Sequence, residues 1–133
     1  MIAKDSPILT VNNELVPADD LQPGDELVSI YGSTFVLAKS YDVKELRRIM
    51  IDTYPYLYCS EDQQFLVKTE DGYNHQSIKV GDFVVCLLTK ENLHTMILRE
   101  VHEIIVTSPV EMVKIHLKGD SIILAHSEII IKS

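Results

Sequence analysis

The chain has 133 residues and a formal net charge of −8 at pH 7, enough length for one sizeable core, so a single domain over 1–133 is expected. The acidic balance lacks the clustered Lys and Arg that nucleic acid or an anionic membrane would need. Apolar runs such as 83–88 are too short to span a bilayer and no signal-like stretch opens the chain, so the expectation is a cytoplasmic protein with neither nucleic acid nor membrane as partner.

In chain order, short runs rich in β-branched and aromatic residues predict strands at 8–11, 26–31, 34–37, 56–59, 65–67, 83–88, 110–117 and 121–124. Pro17, Pro23, Gly24, Gly32, Pro55, Gly72, Gly81, Pro109 and Gly119 punctuate them, which favours an all-β barrel or sandwich-like body. Short helical turns are expected at 17–21 and 74–78. Residues 42–52 fit either period, but Ile49 and Ile51 alternate, so 48–53 is read as strand. The run 128–132 is strongly β-prone and reads either as a strand paired in the core or as an edge that pairs with a partner.

Residues 6–28 and 63–85 repeat one pattern. A constant shift of 57 positions (81 − 24) lays Gly24-Asp25 on Gly81-Asp82, Leu9 on Leu66, Ile8 on Phe65, Leu21 on Ile78 and Leu27-Val28 on Val84-Val85, without a gap. Two copies of one supersecondary unit predict a closed, pseudo-symmetric domain rather than a solenoid. Asp25 and Asp82, each following a turn glycine, are expected to accept backbone N–H bonds and hold the matching corners.

Few residues suggest independent chemistry. Cys59 and Cys86 fit neither a disulfide framework nor a zinc pattern and read as buried free thiols. A nucleophilic Cys59 beside Ser60, with His75, His94, His102, His116 or His126 as base, has no motif behind it. His94 and His102 with Glu91 or Glu103 match no compact metal spacing, so no metal or cofactor is expected. Asp19, Asp20, Glu61 and Asp62 read as cap, turn and surface charges.

Three segments carry a resemblance. Residues 2–10, followed by Leu15-Val16-Pro17 and 20–25, look like an intein N-terminal block; 59–66 running to 78–82 is similar to the second block; 113–115 and 119–125 through Lys132-Ser133 track the C-terminal blocks. The chain therefore resembles the Hint superfamily, which comprises inteins, bacterial intein-like domains and hedgehog-type autoprocessing domains, at the size of an intein without a homing endonuclease. The resemblance implies an all-β horseshoe of two intertwined halves, in keeping with the repeat.

It also implies chemistry that this chain does not carry residue for residue. The family's first residue is a Cys or Ser that attacks the preceding carbonyl; here it is Met1, whose thioether has no proton to lose and which, read as an initiator, has no upstream bond. The second-block Thr and His fall on Ser60 and Gln63, and glutamine cannot shuttle a proton near neutral pH. The later His falls on or near Ser121, and the cyclising Asn on Ser133 or, one residue shorter, on Lys132. The expectation is a catalytically inactive Hint domain kept as a structural or protein-interaction module, with a protein partner or self-association. A phage-encoded protein or assembly is the setting the resemblance suggests, and the location would then be virion-associated. The alternative is residual splicing or autocleavage, or an intein altered to block it.

Overall fold

The computed structural model describes residues 1–30, 32–52, 56–90, 93–119 and 121–133, with the backbone alone at 89, 90, 93 and 94. Its strands are β1 (Pro7–Leu9), β2 (Leu15–Pro17), β3 (Glu26–Ser29), β4 (Gly32–Ile51), β5 (Leu57–Cys59), β6 (Gln64–Thr69), β7 (Gly72–Gln76), β8 (Phe83–Lys90), β9 (Leu93–Lys118), β10 (Ile122–Ala125) and β11 (Ile129–Lys132), with one 3-10 turn at Ala18–Asp20. The fold is all-β. Every described pairing is antiparallel, in one sheet ordered β2-β1-β10-β11-β6-β8-β9-β4-β3, with β5 on β4 and β7 on β6.

The repeat is structural as well as sequential. Shifting β1, β2 and β3 by 57 positions places them within β6, β7 and β8. Both corners are built alike. Gly24 and Gly81 have φ of +93° and +95°, a region open to glycine because it has no Cβ. The Asp25 carboxylate accepts the Gln22 N–H (2.8 Å) and the Asp82 carboxylate accepts the Lys79 N–H (3.0 Å). Each corner then clasps the long strand beyond it. The Gly24 N–H donates to the Val36 carbonyl and the Val36 N–H to the Asp25 carbonyl (2.8 and 2.9 Å); Gly81, Val101 and Asp82 do the same (2.9 and 2.8 Å). In the first copy the clasp closes over 12 residues (36 − 24) and in the second over 20 (101 − 81), because the β8–β9 hairpin is longer.

The two long strands cross the molecule as a ribbon, paired from Phe35 with Lys118 to Ile51 with Val101, with register shifts at 36/38, 45/46 and 50/51 that bend it. The ribbon holds Arg48–Ile51, the ambiguous segment, as strand; Thr53 lies outside the described residues, as do Tyr31, Pro55 and Asp120. Two apolar clusters pack on opposite faces of the sheet. β10 and β11 alternate between them, with Ile123, Ala125, Ile129 and Ile131 in the larger and Ile122, Leu124 and Ile130 in the smaller.

Two expectations need correction. The sheet is not closed: its strand order ends in β2 and β3. Residues 74–76 are not a helical turn; they extend β7, because the short turn at 70–71 lets β7 pair with β6 from Gly72 opposite Thr69 to Gln76 opposite Phe65, whereas β2 meets β1 across the longer turn 10–14. Of the two readings of 128–132, the strand paired in the core holds: β11 pairs with β10 on one side and with β6 and β8 on the other, and burial on both faces accounts for the apolar 129–131, with Lys132 exposed at the end. The helical turn near 17–21 is present as the 3-10 turn. Glu128 itself is buried, and its carboxylate accepts the Arg99 Nε–H at 2.7 Å, which anchors the β10–β11 hairpin to β9.

That hairpin turns through His126 and Ser127 at φ of +52° and +67°, the requirement of a type I′ turn usually met by Asn-Gly. Burial holds the His126 imidazole below its ordinary value of 6.5, partly opposed by the Asp5 carboxylate. As pH falls below 6.5 the unfolded chain takes the proton first, so the stability this residue contributes is present above 6.5 and lost as pH falls through its folded-state value. His126→Asn keeps a side chain that tolerates positive φ and removes the titration. Thermal unfolding at pH 7.5 and 5 is expected to show a smaller loss of Tm for the variant than for the parent; equal losses would remove His126 from the account.

Candidate functional site

The first and last residues meet in one cleft of about 190 Å³, lined among others by Met1, Asp62, Gln63, Lys114, Lys132 and Ser133. The opening tripeptide reaches it by acting as a strand between β5 and β9. The Ile2 N–H donates to the Val113 carbonyl (3.1 Å) and the Ala3 N–H to the Tyr58 carbonyl (3.1 Å), burying Ile2. The end of the chain arrives on β11, whose Lys132 lies opposite Ile122 and Gln64.

At the amino end, Ser60 follows β5 and is buried. Its Oγ accepts a hydrogen bond from the Met1 α-amino nitrogen (2.8 Å) and donates to the Asp62 carboxylate, while its backbone N–H donates to the Met1 carbonyl (2.9 Å). Asp62 Oδ1 is 3.7 Å from the same nitrogen. Burial holds the Met1 α-ammonium below its ordinary value, with Asp62 opposing that shift. The Ser60 hydroxyl, helped by the nearby ammonium, holds the Asp62 carboxyl below the usual range against partial burial. A carboxylate so stabilised is a weak base.

At the carboxyl end, Gln63 is buried and its Nε2 donates to the Lys132 carbonyl at 2.8 Å and to the Gln64 carbonyl at 3.0 Å. The Ser133 N–H donates to the Ser121 carbonyl (2.7 Å), and the Ser133 hydroxyl donates to the Ile115 carbonyl. The bond between Lys132 and Ser133 is thus gripped by a carboxamide on one side and by backbone on the other. A carboxamide supplies a hydrogen-bond donor but has no proton to transfer near neutral pH.

Met1, Ser60, Gln63, Ser121, Lys132 and Ser133, far apart in sequence, are therefore brought together by backbone or side chain. Asp62, read from sequence as a surface charge, joins them; its spacing of two residues from Ser60 was the available signal. Gly24, Asp25, Gly81 and Asp82 stand apart, at the two corners. Cys59 and Cys86 are buried free thiols, as read from the sequence, and the nucleophilic reading of Cys59 finds no support. Burial pushes both the Cys59 and Cys86 thiols up to about 12, so neither offers a thiolate at neutral pH. His102 lies between Asp52 (3.0 Å) and Glu100 (3.1 Å), and His116 faces Ser40 Oγ (2.7 Å). Glu91 and the His94 side chain lie outside the described residues. No helix among the described residues is long and apolar enough to cross a membrane.

This architecture superposes on solved inteins along almost its whole length. The gp41-1 intein matches with a TM-score of 0.77 at 22% identity, covering 99% of this chain and 97% of that one. The fold is that of the inteins. A variant of the Ssp DnaB mini-intein gives a TM-score of 0.81 at 16% identity, covering 99% of this chain and 92% of that one. The Msm DnaB1 intein splicing domain, solved bound with zinc, gives 0.74 at 14% identity and full coverage of both chains. No protein-family model and no curated protein matches the sequence.

Gln63→Ala deletes both side-chain bonds and leaves the Lys132 carbonyl without its carboxamide donor. A loss of about 1–3 kcal/mol in denaturant unfolding is expected, with faster amide exchange at 131–133. An unchanged stability and an unchanged exchange pattern would show that Gln63 does not hold this end.

Proposed function

We propose that this chain is an intein-fold domain that does not splice and serves as a structural or protein-interaction module. The observation that carries the proposal is the composition of the cleft. The positions that meet there hold a thioether at Met1, a carboxamide at Gln63, and no cyclising amide at Lys132 or Ser133. Splicing chemistry needs a deprotonatable nucleophile at the head and a proton carrier beside each scissile amide. The side chains present supply hydrogen bonds instead.

What the arrangement does well is hold. Ser60 ties Met1 to the end of β5, Gln63 ties Lys132 to the start of β6, and the two ties are three residues apart on one short connection (63 − 60). A domain whose ends leave side by side is suited to being carried within or beside another protein without disturbing it. Its partner on this reading is a protein, and a phage-encoded assembly is the setting that the resemblance to inteins suggests.

The test is a fusion carrying one reporter before Met1 and another after Ser133, followed by intact mass for a day with and without added thiol. An unchanged mass in both arms is expected. Loss of either reporter at its junction would overturn the proposal and show that Ser60, Lys132 or another group in the cleft supplies chemistry.

A further inference from the structure

The cleft holds two kinds of group that the clasp does not use. Gln63, 5% exposed, donates both Nε2 hydrogens, to the Gln64 and Lys132 carbonyls at 3.0 and 2.8 Å. Because both contacts are to carbonyl oxygens, the carboxamide has one orientation and Oε1 is its free end. Among the described residues no donor reaches Oε1. It is not one of the fully enclosed side-chain atoms without a partner, so it opens into the cleft that Gln63 lines. An acceptor on a buried side chain is disfavoured until a donor meets it. The second group is cationic. Lys114 and Lys132 line the same cleft, and neither forms an ion pair among the described residues. Elsewhere Lys4, Lys39, Lys44, Arg47 and Arg99 each lie against a carboxylate. Asp62, the nearest acid in the cleft, faces the Met1 nitrogen instead, at 3.7 Å. In a chain of net charge −8, two unpaired ammonium groups at one cleft reverse the sign of the field locally.

We propose that the cleft captures the C-terminal residue of a partner polypeptide, with its α-carboxylate between the Lys114 and Lys132 ammonium groups and its backbone N–H on Gln63 Oε1. The inference rests on the reading of the domain as a protein-interaction module, and it names that module's site and the chemistry of its partner. The combination of an open acceptor with two cations selects the ligand. A terminal residue carries an N–H donor and a carboxylate on the same Cα, so one small group meets both, and capture of a chain end is a recurring mode of peptide recognition. Lysine suits the carboxylate here, because an ammonium on a flexible stem closes on an anion without the fixed fork geometry of arginine. Inorganic phosphate brings charge without an N–H. Its second negative charge also adds repulsion from Asp62 and the Ser133 carboxylate, which share the cleft. An amidated chain end brings the N–H without the charge.

The probe is acetyl-trialanine with a free carboxylate, titrated into the 133-residue chain to about 20 mM and followed by nuclear magnetic resonance, since so small a contact binds in the millimolar range. Saturable shifts are expected at the Gln63 side-chain NH₂, at 113–114 and at 131–133, and little elsewhere. The same peptide with an amidated C-terminus is expected to bind about tenfold more weakly, having lost its charge-assisted contacts. Lys114→Gln and Lys132→Gln are each expected to weaken the free acid about threefold, the size of one exposed ion pair, with Tm unchanged. The probe has no scissile junction, so this titration reads binding alone and the mass of the fusion reads cleavage alone. Absence of binding with an intact fusion would overturn this site and leave the module reading standing; binding together with cleavage would keep the site and overturn the module reading. No shift over the range, equal affinity of the amidated peptide, the same shifts from inorganic phosphate, or unchanged affinity in both lysine variants would each overturn the proposal.

Discussion

Each half of this fold turns on a corner in which a glycine at positive φ is followed by an aspartate that closes the turn behind it. No heavy atom lies within 4 Å of where a Cβ would stand on Gly24 or Gly81, so it is backbone conformation and not crowding that calls for glycine there. The aspartate carboxylate accepts a backbone N–H three residues back, and the corner's own N–H and C=O then pair with Val36 or Val101 on a long strand. Those two clasps fix where β4 and β9 begin their shared ribbon. The ribbon in turn sets the slot between β5 and β9 into which the opening tripeptide lies.

The cleft is a consequence of that geometry. Because Ile2 pairs with Val113 on one side and Cys59 on the other, Met1 arrives beside Ser60. Because β11 is paired on both sides in the centre of the sheet, Lys132 and Ser133 arrive beside Gln63. Burial disfavours the Met1 ammonium, the Asp62 carboxylate opposes part of that, and the Ser60 hydroxyl accepts its hydrogen bond. The site is therefore an assembly of hydrogen-bonded groups within a buried frame, where removing one partner leaves another without its bond.

Much of the architecture was legible in the sequence because it is written locally. Alternating and branched residues marked most strands, and the gapless 57-residue shift marked the pseudo-symmetry, since a corner that depends on Gly-Asp leaves Gly-Asp in both copies. What escaped was decided by partners distant in sequence. Whether 74–76 is a turn or a strand depends on how far β7 pairs back along β6 from the turn at 70–71, and whether 128–132 is an edge or a centre depends on β6 and β8, which no local pattern reveals. The site divided in the same way. Ser60 and Gln63 were legible through the resemblance to inteins, whereas Asp62 is the exposed carboxylate its sequence context suggests, and only the fold brings the Met1 nitrogen beside it.

The central claim is that the cleft is a clasp made of hydrogen bonds that do not titrate at its carboxyl end. Nuclear magnetic resonance of the Gln63 side-chain amide tests it most directly. The account predicts a resolved, slowly exchanging NH₂ with scalar coupling across the hydrogen bond to the Lys132 carbonyl carbon, unchanged between pH 5 and about pH 8, since neither an amide nor a carbonyl gains or loses a proton there. A rapidly exchanging amide with the shifts of a solvated glutamine, or no coupling to Lys132, would contradict it.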